Sequence, residues 1–161
     1  MSHSTADLCD KYSQHPHFQI AEPAFKHFGK NQQFCGQIST LKVFEDNVLI
    51  REMLEEKVEN RVLVVDGGGS HRCALLGDDL ATLACNNGWQ GVIIYGCIRD
   101  SKAINQLDIG IRALDTHPLK SHKRGIGEKD ALITFAGINF KKNHYLYADE
   151  DGIIVSETLL S

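Results

Sequence analysis

The sequence predicts an α/β fold: a mixed sheet with a βαβ core, to which antiparallel hairpins are added. Three observations carry this. Val62-Leu63-Val64-Val65 and Gly91-Val92-Ile93-Ile94-Tyr95 are apolar runs rich in β-branched residues, as in parallel strands buried on both faces. Between them, Leu80, Leu83 and Ala84 repeat at i, i+3, i+4, the stripe of a helix with one buried side. Tyr145-Leu146-Tyr147-Ala148 and Ile153-Ile154-Val155 flank Asp149-Glu150-Asp151-Gly152, a hairpin with a glycine-ended turn.

Taken in order, residues 4–13 read as a helix with Ser4 or Thr5 as N-cap and Leu8, Cys9 and Tyr12 on one face. His15-Pro16-His17 breaks it, and a loop through Pro23 leads to residues 25–29. Residues 34–44 are extended, with Phe34, Ile38 and Val43 as core contacts; Gly36 marks a bulge or a close backbone approach. Asp46 or Asn47 caps a helix carrying Leu49, Ile50, Met53 and Leu54, with Glu45, Arg51, Glu55, Glu56 and Lys57 on a solvated face. Asp78 and Asp79 open the helix of the βαβ unit, where negative charge suits the helix dipole and can cap free amides; Gly88 ends it. Ser101 caps a single turn through Ile104. Leu107, Ile109 and Ile111 alternate as in a half-buried strand, closed by His117-Pro118. Residues 120–129 form a basic, glycine-containing loop (Lys120, His122, Lys123, Arg124) that is either solvated or meets an anion. Ile133, Phe135, Ile138 and Phe140 form a strand pair around Gly137.

At 161 residues the chain reads as one domain, 1–161, able to bury roughly 68–70% of its unfolded surface. A net charge of −4 gives no electrostatic case for direct nucleic-acid binding. No apolar run approaches the ~20 residues of a spanning helix, so no membrane is expected. The N-terminus has neither a basic patch nor an apolar core, which gives a cytoplasmic expectation. Five cysteines with no C-x-x-C pair fit neither a zinc site nor a disulfide framework. Cys97, two residues before Arg99, is the one candidate thiol, and it lacks an adjacent base. His71 follows the glycine turn, placed either to touch a ligand or simply at the surface.

Gly67-Gly68-Gly69 lacks the G-K-[ST] of a phosphate loop, and Arg72 stands where G-x-G-x-x-G needs its last glycine. That argues against nucleotide binding. What remains is Gly77-Asp78, Arg99 and Asp100 around one βαβ mouth, where strand ends and a helix N-terminus meet. Two readings stay open. The aspartates and the arginine form a structural ion pair, or one carboxylate holds a water-rich Mg²⁺ while Arg99 neutralises charge on an oxygen.

Asp78, twenty intervening residues and Arg99-Asp100 reproduce a D-x20-R-D signature. With Ala6-Asp-Leu-Cys-Asp10, Phe44-Glu-Asp-Asn47, Val64-Val-Asp-Gly-Gly-Gly-Ser70, Leu107-Asp-Ile-Gly-Ile111, Gly125-Ile-Gly-Glu128 and Tyr145-Leu-Tyr-Ala-Asp149, the chain resembles the RraA-like, class II 4-hydroxy-4-methyl-2-oxoglutarate aldolase family over nearly its whole length. The resemblance implies a swivelling β/β/α domain and a homotrimer with its site near a subunit interface. It implies a lyase that splits 4-hydroxy-4-methyl-2-oxoglutarate into two pyruvates and decarboxylates oxaloacetate through the same enolate. Asp100 would bind Mg²⁺ or Mn²⁺, and Arg99 would contact the keto oxygen of the 2-keto acid. Gly77, Asp78, Asp79 and Leu80 would hold its carboxylate, and Asp78 would hold the water that acts as base. The alternative within the same resemblance is a non-enzymatic regulator that binds and inhibits an RNA-decay endonuclease.

Overall fold

The computed structural model describes residues 3–161; Met1 and Ser2, the start of the stretch read for targeting, lie outside the described residues. In chain order the elements are α1 (Thr5–Tyr12), β1 (Phe18–Ile20), β2 (Lys26–Phe28), β3 (Phe34–Lys42), α2 (Val48–Leu54), β4 (Arg61–Asp66), β5 (Ala74–Leu76) and α3 (Asp78–Asn86). Then follow β6 (Trp89–Ile98), α4 (Ser101–Ile104), β7 (Gly110–Thr116), β8 (Glu128–Lys129), β9 (Ile133–Phe135), β10 (Ile138–Phe140), β11 (Tyr145–Asp149) and β12 (Gly152–Ser156).

The βαβ core is present: β4 and β6 run parallel, with Val62 beside Gly91 and Val65 beside Ile94. They occupy the centre of a mixed sheet in the order β1-β12-β11-β3-β4-β6-β7-β2. The β11–β12 hairpin is antiparallel, as its turn sequence requires. Alternate residues of the central strands serve two cores, because successive side chains point to opposite faces. Leu63, Val65, Val92 and Ile94 pack with Ile50, Met53, Leu80 and Ala84 of the helices. Val62, Val64, Ile93 and Phe34 pack with Ile133, Phe135, Ile138 and Phe140 of the β9–β10 hairpin. The layers are therefore hairpin, sheet and helices, the expected β/β/α arrangement. Among the described residues no helix is long and apolar enough to cross a membrane.

Several local expectations are corrected, and two that were left open are decided. The strand anticipated over Leu107, Ile109 and Ile111 begins only at Gly110 and is fully buried through Ala113. It lies between β6 and β2 rather than at a solvated face. Asp46 takes the α2 cap bond, accepting from the Val48 amide at 3.1 Å, while the Asn47 side chain turns away to donate to the Leu75 carbonyl. Asp100, not Ser101, precedes α4. Glu45 does not belong to a solvated face: it is half-buried and accepts from Ser70 and Arg72, both at 2.6 Å. Gly36 is a close approach, since a Cβ there would sit 2.5 Å from the Asn60 carbonyl oxygen.

Candidate functional site

The site is assembled by β5, a three-residue strand that sets α3 beside the end of β6. Leu76 pairs with Ile98, and the Arg99 amide donates to the Leu76 carbonyl at 2.9 Å. The chain leaves β5 through Gly77, where any side chain would collide: a Cβ would lie 2.7 Å from a carboxylate oxygen of Asp100. Asp100 itself adopts the left-handed conformation (φ 58°, ψ 37°), which aspartate tolerates better than most residues. From there its carboxylate accepts the Asp78 amide at 3.1 Å. The first turn of α3 is thus capped from a different element, since its own N-cap residue, Gly77, has no side chain to do so.

Gly77, Asp78, Asp79, Leu80, Arg99 and Asp100 all line one cavity of about 190 Å³. Asn47 and Arg51 of the α2 region and Lys120, Ser121 and Lys123 of the basic loop line the same cavity. These five residues were not assigned to the site from sequence. The basic loop offered a signal in its lysines, whereas Arg51 looked like any other charge on a solvated helix. The loop is pinned in place: the Ala74 amide donates to the Leu119 carbonyl at 2.7 Å, and the Arg124 amide donates to Asp46 at 2.8 Å.

Electrostatically the cavity is crowded. Asp78 is held above the ordinary carboxylate range, first by a hydrogen bond shared with the Asp100 side chain, then by partial burial and the negative charge of Asp100 and Asp79. Arg99 donates to the Pro118 carbonyl at 3.4 Å. Among the described residues, none of the cavity's four cations lies within 4.0 Å of a carboxylate oxygen. The open reading of Arg99 and the aspartates as a structural ion pair therefore loses its contact.

The remaining candidates fall away from this cavity. Cys97 is buried, and that burial pushes its thiol up, the wrong direction for a nucleophile. His71 is exposed, with a ring nitrogen 3.0 Å from the Gly69 carbonyl. A larger groove of about 610 Å³ runs along Phe44, Asp46, His122, Arg124 and Ile126. Of its carboxylates, Glu45 is engaged by Arg72, Asp46 by backbone amides and Asp66 by the Gly68 amide.

Residues 5–155 match the RraA-like family, described as Aldolase/RraA. The chain belongs to the RraA-like family. A relative from Methylococcus capsulatus, provisionally named 4-hydroxy-4-methyl-2-oxoglutarate aldolase, is 63% identical over 99% of each chain. Two solved structures superpose on this RraA-like chain with TM-scores of 0.95. One, from Geobacillus kaustophilus, is described as an S-adenosylmethionine:2-dimethylmenaquinone methyltransferase; it is 48% identical over 98% of this chain and 97% of that one. The other, the RNA-processing inhibitor RraA from Thermus thermophilis, is 42% identical over 100% of this chain and 96% of that one.

Proposed function

We propose that this chain is a divalent-metal-dependent, cytoplasmic aldolase. It cleaves 4-hydroxy-4-methyl-2-oxoglutarate into two pyruvates and decarboxylates oxaloacetate as a secondary activity. The observation that carries this reading is the meeting of Asp78, Arg99 and Asp100 in one cavity at a helix N-terminus. The names of the relatives from Methylococcus capsulatus and Laribacter hongkongensis, the latter 57% identical, point the same way.

The donor set fits a hard cation. Asp78 and Asp100 concentrate negative charge that no side chain neutralises, and this raises Asp78. Among the described residues no three His, Cys, Asp or Glu side chains are spaced to enclose a metal. One or two carboxylates with retained waters suit Mg²⁺ or Mn²⁺, with Asp100 as the protein ligand. When bound, the ion supplies Lewis-acid polarisation of the 2-keto group.

The protein's own groups do the rest. Asp100 occupies the Asp78 amide, so the other first-turn amides, Asp79 and Leu80, receive the substrate carboxylate. Gly77 admits it by having no side chain. Arg99 stabilises the negative charge that grows on the keto oxygen as the C3–C4 bond breaks. Asp78, with its raised pKa, holds the water that takes the C4 hydroxyl proton. That half of the substrate leaves as pyruvate, and protonation of the remaining enolate at C3 gives the second. In oxaloacetate the C3–C4 bond breaks with loss of CO₂ to the same enolate.

The test is pyruvate release from both substrates with Mg²⁺, with chelator, and in Asp100→Asn. Chelator should abolish turnover, and the substitution should cut it by roughly 10²-fold or more, the scale of a lost transition-state contact. Absence of turnover with every divalent metal would sink the aldolase reading. It would leave the endonuclease regulator, which the 42% identical RNA-processing inhibitor favours. A methyl donor of nucleoside size suits a cavity of about 190 Å³ poorly, since such ligands occupy clefts of roughly 300–1,000 Å³.

A further inference from the structure

Arg112 of β7 has no part in the cavity at the start of α3. It is the one buried arginine among the described residues, 1% exposed, and it lines a separate cavity of about 420 Å³. The two cavities share no residue. We propose that this second cavity binds a free α-amino acid with an apolar side chain of about the size of leucine, its carboxylate held by Arg112. Such a site is independent of the aldolase chemistry and uses none of its residues.

A guanidinium is costly to bury unless an opposite charge and a full set of acceptors answer it. Among the described residues no carboxylate oxygen lies within 4.0 Å of Arg112. One terminal nitrogen donates to the carbonyls of Gln32 and Asp149, at 2.7 and 3.2 Å, and the other to the Ile111 carbonyl at 3.3 Å. Nε has no protein partner. Three of the five donors are therefore used, all on neutral carbonyls. The Phe34 ring, 5.1 Å away, steadies the guanidinium without cancelling its charge. The Asp149 carboxylate is committed elsewhere, to the Thr5 amide and hydroxyl at 2.7 and 2.6 Å. Burial consequently outweighs the attraction of Asp149 and Glu150, and Arg112 is pushed down to about 10.

The rest of the lining decides what kind of ligand answers that charge. Pro23, Phe25 and Ile153 supply apolar wall. Glu22, Glu150 and Asp151, all exposed, add carboxylates on the solvent side. A plain anion drawn to Arg112 meets three negative charges on its way, and a plain cation meets the arginine. A dipolar ligand satisfies both ends, with its carboxylate on the guanidinium, its ammonium among the outer carboxylates and its apolar side chain against the wall. His27 pairs with Arg112 in the β2–β7 register and lines the same cavity. Burial and the charge of Arg112 hold it below the ordinary histidine range, so at neutral pH it adds no second cation. The volume lies within the roughly 300–1,000 Å³ of small-molecule sites.

The test is calorimetric titration of the full chain with L-leucine, with L-leucinamide, which lacks the carboxylate, and with 4-methylpentanoate, which lacks the ammonium. The wild type should bind L-leucine, and each analogue about 10- to 100-fold more weakly, the range of a lost charged hydrogen bond. Arg112→Met, an apolar side chain of similar length, should abolish L-leucine binding, with its folding checked by the urea midpoint. Glu150→Gln changes only an exposed side chain and should weaken L-leucine while leaving 4-methylpentanoate as it was, so the site stays testable even if Arg112→Met does not fold. A wild type that ignores L-leucine at millimolar concentration would overturn the site and leave Arg112 a purely structural cation. So would L-leucine binding that survives in folded Arg112→Met, or 4-methylpentanoate bound as tightly as L-leucine. None of these readings depends on turnover of a 2-keto acid.

Discussion

The Asp100 carboxylate reaches across from the end of β6 to accept the Asp78 amide, and this brings two carboxylates together at the start of α3. Asp78 shares space with a second negative charge, and its own carboxyl is raised. A folded-state pKa above the unfolded value means that the fold disfavours the ionised form. The resulting deficit in stability is present at neutral pH and disappears as pH falls through the raised carboxyl range. Asp78→Asn removes it while keeping shape. In chelator-treated protein, thermal melts should therefore place Asp78→Asn at or above the wild type at pH 8, with the gap closing in acid. Activity with metal should fall in the same variant. A variant less stable than wild type at every pH would show that the two carboxylates are not in opposition.

At the scale of elements, the wall that carries Lys123 depends on one buried side chain. Asp46 is 3% exposed and accepts from the amides of Val48, Arg124 and Ile126, at 3.1, 2.8 and 3.4 Å. Burial alone would raise its carboxyl, but these amides overcome that and hold it below the usual range. A depressed folded pKa contributes stability that is full above the unfolded value of about 3.9 and is lost as pH drops through the folded one. Asp46→Ala removes both the α2 cap and the loop anchor, at a cost of about 2–4 kcal/mol in urea unfolding. Unchanged stability would assign the anchoring to the backbone bonds around His122 instead. This wall was poorly legible in the sequence. Runs such as Val62-Leu63-Val64-Val65 announce themselves by composition, and Asp78, Arg99 and Asp100 of the D-x20-R-D spacing line one cavity. By contrast β5 is three residues long, and β1, β2 and β8 are no longer. Pairing partners far along the chain, not local pattern, decide such short strands. Asp100 capping α3 and Asp46 tethering residues 124–126 are likewise contacts between separate elements, which no local rule displays.

For the whole molecule, the sheet is covered by helices on one face and by the β9–β10 hairpin on the other, so its cores need no further partner. Phe44 and Ile126, 57% and 65% exposed, both line the larger groove. Exposed large apolar side chains that share a groove rimmed by charge mark a docking surface more often than chance. The resemblance implies a second copy of this chain as the occupant, within a trimer. Phe44 also stacks under Arg72 and fills the space above Gly68, so a charge at that position would disturb the glycine turn as well as the surface. Ile126→Glu is the cleaner probe. Sedimentation of the wild type at micromolar concentration should give a trimer and Ile126→Glu a smaller species, with folding of the variant checked by its urea midpoint. A wild type that sediments as a monomer, or a variant that remains trimeric, would remove this face from the assembly.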